Sequence, residues 1–304
     1  MSVVMITGAA TGIGNLSAHA LADAGHVVYA SMRDTDSRNA ERAERLVAEG
    51  RDRGVDLRVV ELDVLSQESA HAAVDAVLAE AGRLDVVVHN AGHMSLGYLE
   101  AFTVEELAHQ FDVNAFGVQR VNRAALPHLR ERGEGTLVYV GSTTTVSVPP
   151  FMGPYVAAKF AFDALAQLTS YEVAPLGIET VIVMPGAFTH GTEHFPNATR
   201  PEDEEIAAAY AVLDPLVERY GEATQSLFPP GTDPDPVTVA EEIARVLALP
   251  RGQRPFRTVV DFTQANVETV NAVADAAARD FVRRMGFDEL LQLEQNAARQ
   301  GAKR

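Results

Sequence analysis

The sequence predicts an α/β protein: a doubly wound parallel sheet with helices packed on both faces. Short β-branched runs alternate with longer Ala-rich, amphipathic stretches, the pattern of successive βαβ units. Most of the runs are apolar almost throughout, as strands covered on both sides must be. The first run leads at once into a glycine-rich turn and a helix.

Val3–Ile6 opens the series and helical periodicity follows over 13–24. Val27–Ser31 and 38–53 form the second strand and helix, and Leu57–Leu62 and 66–81 the third pair. Val86–His89 precedes a long helical stretch over 103–131, and Thr136–Gly141 precedes another over 154–173. Ile178–Met184, a helix over 236–248 and Arg257–Val260 complete the alternation. Right-handed crossovers turn such a series into one sheet with helices on both sides, so residues 1–304 read as a single domain. Two segments break the rhythm. Between Met184 and Pro236 there is no strand signal, only an acidic helix candidate (Pro201–Tyr220) and a turn-rich end, Phe228–Pro236. Loops of this length inside compact domains are usually lids or binding loops, so 187–235 is expected to cover a substrate. Residues 262–304 read as a C-terminal helical extension, amphipathic over 262–302 and interrupted near Gly286.

Composition narrows the functions. A chain of 304 residues that is 47% hydrophobic buries a sizeable core. The absence of cysteine excludes disulfides, thiolate metal sites and cysteine nucleophiles. A net charge of -17 argues against nucleic acid or an anionic membrane surface as the partner, since both want a basic face. No run approaches the roughly 18 apolar residues of a spanning helix. The N-terminus has the wrong order for a signal peptide, so the cytoplasm is the expected compartment.

The turn after the first strand reads Thr7-Gly8-Ala9-Ala10-Thr11-Gly12-Ile13-Gly14. Glycines here permit a tight turn and close approach of backbone to a pyrophosphate, and the helix start supplies aligned N–H groups. The spacing is Gly-x-x-x-Gly-x-Gly, and no Gly-Lys-Ser/Thr follows, so this is not an NTPase loop. The end of the second strand should meet the adenosine ribose, where an acid selects NAD and an arginine favours the 2′-phosphate of NADP. Ala30-Ser31-Met32-Arg33-Asp34 favours NADP(H) through Arg33, while Asp34 leaves NAD(H) open. Asp63 ends the third strand in Leu62-Asp63-Val64, placed either to touch adenine or to serve as a turn residue before a helix.

Only two of the 25 cationic residues are lysines, Lys159 and the near-terminal Lys303. Lys159 follows Tyr155 by four positions, so a helix puts ammonium and phenol on one face. A phenol near pKa 10 is a poor acid–base at neutral pH. A neighbouring ammonium and an oxidised nicotinamide ring favour the phenolate and draw it toward working pH.

Together these pieces resemble the short-chain dehydrogenase/reductase family over residues 2 to about 186. Thr7 to Gly14 match its glycine motif, and His89-Asn90-Ala91-Gly92 its Asn-Asn-Ala-Gly, with His in first place. Asn114, Ser142, the Tyr155/Lys159 pair and Pro185-Gly186 follow in family order. The end of the second strand and the C-terminal extension look like the hydroxysteroid and retinol dehydrogenase branch. The resemblance implies a Rossmann-type fold and an NAD(P)-dependent oxidoreductase that interconverts a ketone or aldehyde and an alcohol. Its catalytic set would be Asn114, Ser142, Tyr155 and Lys159. Ser142 would steady the substrate oxygen, Lys159 would also hold the nicotinamide ribose, and Asn114 would anchor a water relay. Its cofactor contacts would be Thr7, Gly8, Thr11, Gly12, Ile13, Gly14, Arg33, Asp63, Val64, Asn90, Ala91, Gly92, Tyr155, Lys159, Pro185, Gly186 and Thr189. The usual carboxamide-binding Thr is replaced by His190, with Thr189 and Thr192 alongside. His93, Phe151, Phe188, His190, His194 and Phe195 are the candidates for a pocket that takes an apolar carbonyl or alcohol. The family also implies a homodimer or homotetramer built through the helices following Asn114 and Tyr155.

Two other classes compete. His190-Gly191-Thr192-Glu193-His194 fits His-x-x-Glu-His, a zinc peptidase pattern that needs both histidines on one helix face. Gly191 and Pro196 oppose that helix, so no metal is expected. A non-catalytic NADP sensor is also compatible with the fold, but it has no use for the Ser-Tyr-Lys set.

Overall fold

A computed structural model describes residues 1–293. Its seven strands are β1 (Val3–Ile6), β2 (Val27–Met32), β3 (Leu57–Glu61), β4 (Val86–His89), β5 (Gly135–Val140), β6 (Ile178–Pro185) and β7 (Arg257–Val260). They form one sheet in the order β3-β2-β1-β4-β5-β6-β7, and every pairing is parallel. Each expected strand is present, with ends within a residue of the sequence reading. The helices are α1 (Gly12–Asp23), α2 (Ala40–Arg53), α3 (Gln67–Ala81), α4 (Val104–Phe111), α5 (Gly117–Arg132), α6 (Thr144–Ser147), α7 (Gly153–Val173), α8 (Glu204–Ala209), α9 (Asp214–Glu218), α10 (Tyr220–Gln225), α11 (Val237–Ala248) and α12 (Val267–Arg284).

The period-two geometry of the strands divides the core. Val3 and Met5 of β1 face one side, with Leu137 and Tyr139 of β5, under α3, α5 and α7. Val4 and Ile6 face the other, with Val138 and Val140, under α1, α2 and α11. Both layers are dry, and each fully enclosed Leu or Ile, such as Leu21, Leu129 or Ile182, contributes roughly 2 kcal/mol. Arg257 of β7 ties α7 to α12, donating to Asp163 at 2.8 Å and to Asp275 at 2.9 Å.

Two expectations change. The 103–131 helix is interrupted by a π-helical turn, Asp112–Phe116, which holds Asn114. Its amide donates to the carbonyls of His93 and Gln110 at 3.1 and 3.0 Å, and such turns recur where a helix must aim a side chain inward. The acidic stretch 201–220 is not one helix but α8, a 3-10 turn (Ala211–Leu213) and α9, with Tyr220 opening α10. Pro215 lacks an N–H and fits only a first turn, so the chain must restart there. The extension forms α12, breaks near Gly286 as expected, with that glycine in the left-handed region at φ 79°, and resumes in a 3-10 turn, Asp288–Leu291. The helical signal over 294–302 lies outside the described residues. No described helix is long and apolar enough to cross a membrane.

His89, at the end of β4, is a fully buried titratable group. Its ring stacks on Tyr139 at 4.7 Å, and Nε2 lies 2.9 Å from the Asn122 amide oxygen. Burial pushes its pKa down to about 4. The unfolded ring takes a proton near 6.5, so its contribution is intact above pH 6.5 and fades as pH falls toward 4. Denaturant unfolding at stepped pH should lose stability faster over that window in the wild type than in His89→Asn, by up to about 1.4 kcal/mol per pH unit. Equal slopes would show that the histidine does not carry this sensitivity.

Candidate active site

Chain order reverses between β1 and β4, and parallel sheets open a crevice at that point beyond their carboxyl ends. Here the two strand ends are stitched together. The Thr7 hydroxyl accepts from the Asn90 and Ala91 N–H groups, both at 2.9 Å. The Asn90 amide in turn donates to the Thr7 and Gly8 carbonyls at 3.0 and 3.1 Å. Gly8 has φ 66°, and a Cβ on it would lie 2.8 Å from Ala91 Cα, so only glycine permits this approach. Thr7 and Gly14 therefore shape the turn from behind, while Gly8, Thr11, Gly12 and Ile13 face open space.

That space is a cavity of about 580 Å³. It runs from the turn past Asp63, Val64 and Asn90–His93 to Arg33, with Arg38 and Arg42 beside it. Arg33 lines it and Asp34 does not. The Asp34 and Thr35 N–H groups are held by the Glu61 carboxylate, both at 2.8 Å, with Asp34 at φ 56°. Asp63 borders the cavity while also accepting from the Leu65 N–H at 3.0 Å, so it serves as turn and wall at once. Glycine turn, helix start and arginine cluster are groups that could hold the phosphates of a dinucleotide.

A second cavity of about 480 Å³ adjoins the first. Ser142, Tyr155 and Lys159 line it, with Pro185, Gly186, Phe188 and Phe195. Met94, Met152 and Tyr220 add an apolar wall. Phe151 stands behind this wall, edge-on to Tyr98 and Tyr220. α7 presents Tyr155 and Lys159 on one face, one turn apart. The Lys159 ammonium donates to the Val140 carbonyl at 3.0 Å and lies 5.9 Å from the centre of the Tyr155 ring. Burial lowers its pKa to about 8. Burial also holds the Tyr155 phenol above its ordinary value, opposed by the Ser142 side chain. In the chain alone desolvation thus outweighs the pull expected from the ammonium. Asn114 lies outside both cavities. It accepts from the His93 N–H at 3.1 Å and fixes the loop that borders them.

The segment after Pro185-Gly186 crosses both openings. Thr199 pairs with the β4 loop through Met94 and Leu96, 2.9 Å each, and pins it. Thr189 turns away and donates to Gln225 at 2.6 Å. His190 faces Asp233 at 2.9 Å on the surface, outside the pocket expected of it. Gly191, at φ 72° with Pro236 pressed where a Cβ would stand, reverses the chain. Thr192 then comes back over Gly12, 3.8 Å from where a Cβ on that glycine would be. Glu193 reaches Arg42 at 3.4 Å, and His194 points inward between the cavities. The members of the His-x-x-Glu-His match diverge, and no group of three metal-ligating side chains converges among the described residues.

A family model described as short chain dehydrogenase matches residues 2–203. The chain belongs to the short-chain dehydrogenase family. It is 34% identical over 189 residues to 3-ketodihydrosphingosine reductase of Bacteroides thetaiotaomicron, a match that spans 62% of this chain and just under two thirds, 65%, of the relative. It is 28% identical over 284 residues to retinol dehydrogenase 8 of Bos taurus, covering 92% and 80%. A short-chain dehydrogenase from Streptomyces avermitilis superposes with a TM-score of 0.71 at 30% identity, covering 94% of this chain and 97% of that one. Actinorhodin polyketide ketoreductase, a substituted form with NADPH, gives 0.69 at 25% identity, covering 86% and 95%.

Sequence reasoning missed Arg38, Arg42, Met94, Met152 and Tyr220. The arginines carried a signal, since 38 and 42 fall one helical turn apart in the expected 38–53 helix, although the structure starts α2 at Ala40 and leaves Arg38 in the preceding turn. The apolar residues come from separate elements and carried none. Thr192 has no hydrogen-bond partner among the described residues. Thr192→Val should weaken binding of a nicotinamide cofactor about five- to tenfold by calorimetry, while Thr189→Val leaves it unchanged. The reverse ranking would return the role to Thr189.

Proposed function

We propose that the protein is an NADP-dependent oxidoreductase that interconverts an apolar ketone or aldehyde and its alcohol, with Tyr155 as the proton donor and acceptor. One observation carries the reading: Ser142, Tyr155 and Lys159 meet in a largely apolar cavity that opens onto the cavity fitted to a dinucleotide. The cofactor, when bound, supplies or accepts the hydride. Gly8, Thr11, Gly12 and Ile13 would face its pyrophosphate, Arg33, Arg38 and Arg42 its 2′-phosphate, and Lys159 its nicotinamide ribose. Ser142 would hydrogen-bond the substrate oxygen and stabilise charge that develops there. In reduction the Tyr155 hydroxyl gives its proton to that oxygen, and in oxidation the phenolate takes it back. Lys159, held by the Val140 carbonyl, stabilises the phenolate, and the Asn114 side chain keeps the neighbouring loop in register. The segment 187–235 would act as the substrate cover, and its Phe188, Phe195 and Tyr220 favour an aliphatic or ring-shaped body. The names of the two curated relatives, a ketone reductase and a retinol dehydrogenase, agree with such a substrate.

Tyr155→Phe should abolish turnover of a ketone panel and leave cofactor affinity within about twofold. Lys159→Arg keeps the charge but not the compact ammonium, and should lose most activity. Because burial raises the phenol, alcohol oxidation should climb with pH through the alkaline range, while ketone reduction holds and declines only there. Near-normal rates in either variant would overturn this assignment.

For the cofactor, parallel titrations with NADPH and NADH should show tighter binding of NADPH. Arg33→Ala and Arg42→Ala should each weaken NADPH by about tenfold and leave NADH little changed, as expected for one exposed phosphate contact. Preference for NADH would instead assign the adenosine end to Asp34 or Asp63.

A further inference from the structure

The two cavities share a short wall made by Ile13, Asn90, Gly92, Met94 and His194. A hydride passing between a cofactor in one and a substrate in the other crosses at this wall, because reacting atoms must approach to about 3–3.5 Å. Ile13 and Gly92 bring no polar side chain to it, and Met94 only a weakly accepting thioether. Asn90 has its amide N–H groups engaged by Thr7 and Gly8. His194 differs. Its ring is partly buried and lines both cavities, near Lys159 and His93, with no hydrogen-bond or ion-pair partner among the described residues. A polar ring that lines the transfer point with no partner in the chain is free to hydrogen-bond a ligand there.

We infer that His194 is a specificity residue that hydrogen-bonds a second polar group of the substrate, on a carbon adjacent to the reacting carbonyl. This rests on the reading of the site as a ketone–alcohol oxidoreductase. Ser142 and Tyr155 take the reacting oxygen, the Lys159 ammonium is held by the Val140 carbonyl, and Thr192, which also lines the second cavity, stands over Gly12 of the glycine turn. At the wall shared by the two cavities, the imidazole is the group left for the substituent. Burial brings the His194 pKa down to about 4, with the Lys159 ammonium opposing its protonation further, so the ring is neutral at physiological pH. A neutral ring both donates and accepts, which suits a hydroxyl or a carbonyl. Among the described residues no Asp or Glu lines the substrate cavity, and the Lys159 ammonium in it repels a cationic substituent, so the second group is uncharged. The substrate class is then an apolar ketone or aldehyde oxygenated next to the reacting carbon.

The test compares a straight-chain ketone with the α-hydroxy ketone of the same length. Wild type should favour the hydroxy ketone by about five- to tenfold in kcat/KM, the range of one neutral hydrogen bond. His194→Phe should erase that preference, and His194→Gln should restore part of it. Binding should show the same contact directly, as a shift of the His194 ring nitrogen resonances with the hydroxy ketone and not with the simple ketone. A preference that survives in His194→Phe overturns the inference, as does turnover of both ketones by the wild type without preference. A fall in NADPH affinity in His194→Phe, equal with either ketone, assigns the ring to the cofactor and also overturns it. No turnover of any ketone by the wild type with NADPH or NADH would instead overturn the underlying reading.

Discussion

The stitch between the ends of β1 and β4 is the constraint on which the site depends. One threonine hydroxyl and one asparagine amide close the gap between two strands whose chains then diverge in opposite directions. With the gap closed, the glycine turn is presented rigidly to the first cavity, and the β4 loop is delivered to Asn114. The π-helical turn carries the constraint onward, because the Asn114 amide clamps His93 from the helix side. α5 and α7, which follow, are thereby set in register with the same crevice. A single hydrogen bond of this kind is worth only about 1 kcal/mol, but these are buried and mutually dependent, so removing one strands the others.

Around that frame the site balances burial against charge. Lys159 is enclosed to a degree unusual for an ammonium, and a carbonyl at the end of β5 holds it. Desolvation leaves it close to losing its proton and keeps the neighbouring phenol protonated. Both effects come from burial, which disfavours the charged form of each group, so the pair rests as a protonated phenol beside a weakened ammonium.

The covering segment shows how one short run of residues is divided among several tasks. From 189 to 194 successive side chains face Gln225, Asp233, the glycine turn, Arg42 and the inner wall. This fan is possible because Gly191 adopts a left-handed conformation against Pro236. A string that matches a metal motif in one dimension is thereby spread over unrelated surfaces in three.

The class of fold was legible in the chain alone, because strands buried on both faces must be continuously apolar and helices covering them must alternate apolar faces. So were the glycine turn and the Tyr155/Lys159 pair, since both depend on local geometry: a backbone turn and one helical repeat. The residue pattern favoured Arg33 without separating it from Asp34, and of the two only Arg33 lines the first cavity. The break at Asn114 was not legible, as a helical pattern tolerates one extra residue in a turn. Neither was the apolar wall of Met94, Met152 and Tyr220, whose members lie far apart in the chain. Which of Thr189, His190, Thr192 and His194 faces inward was settled by packing. In a segment with no regular repeat, side-chain direction follows from what the backbone packs against, and no periodicity records that.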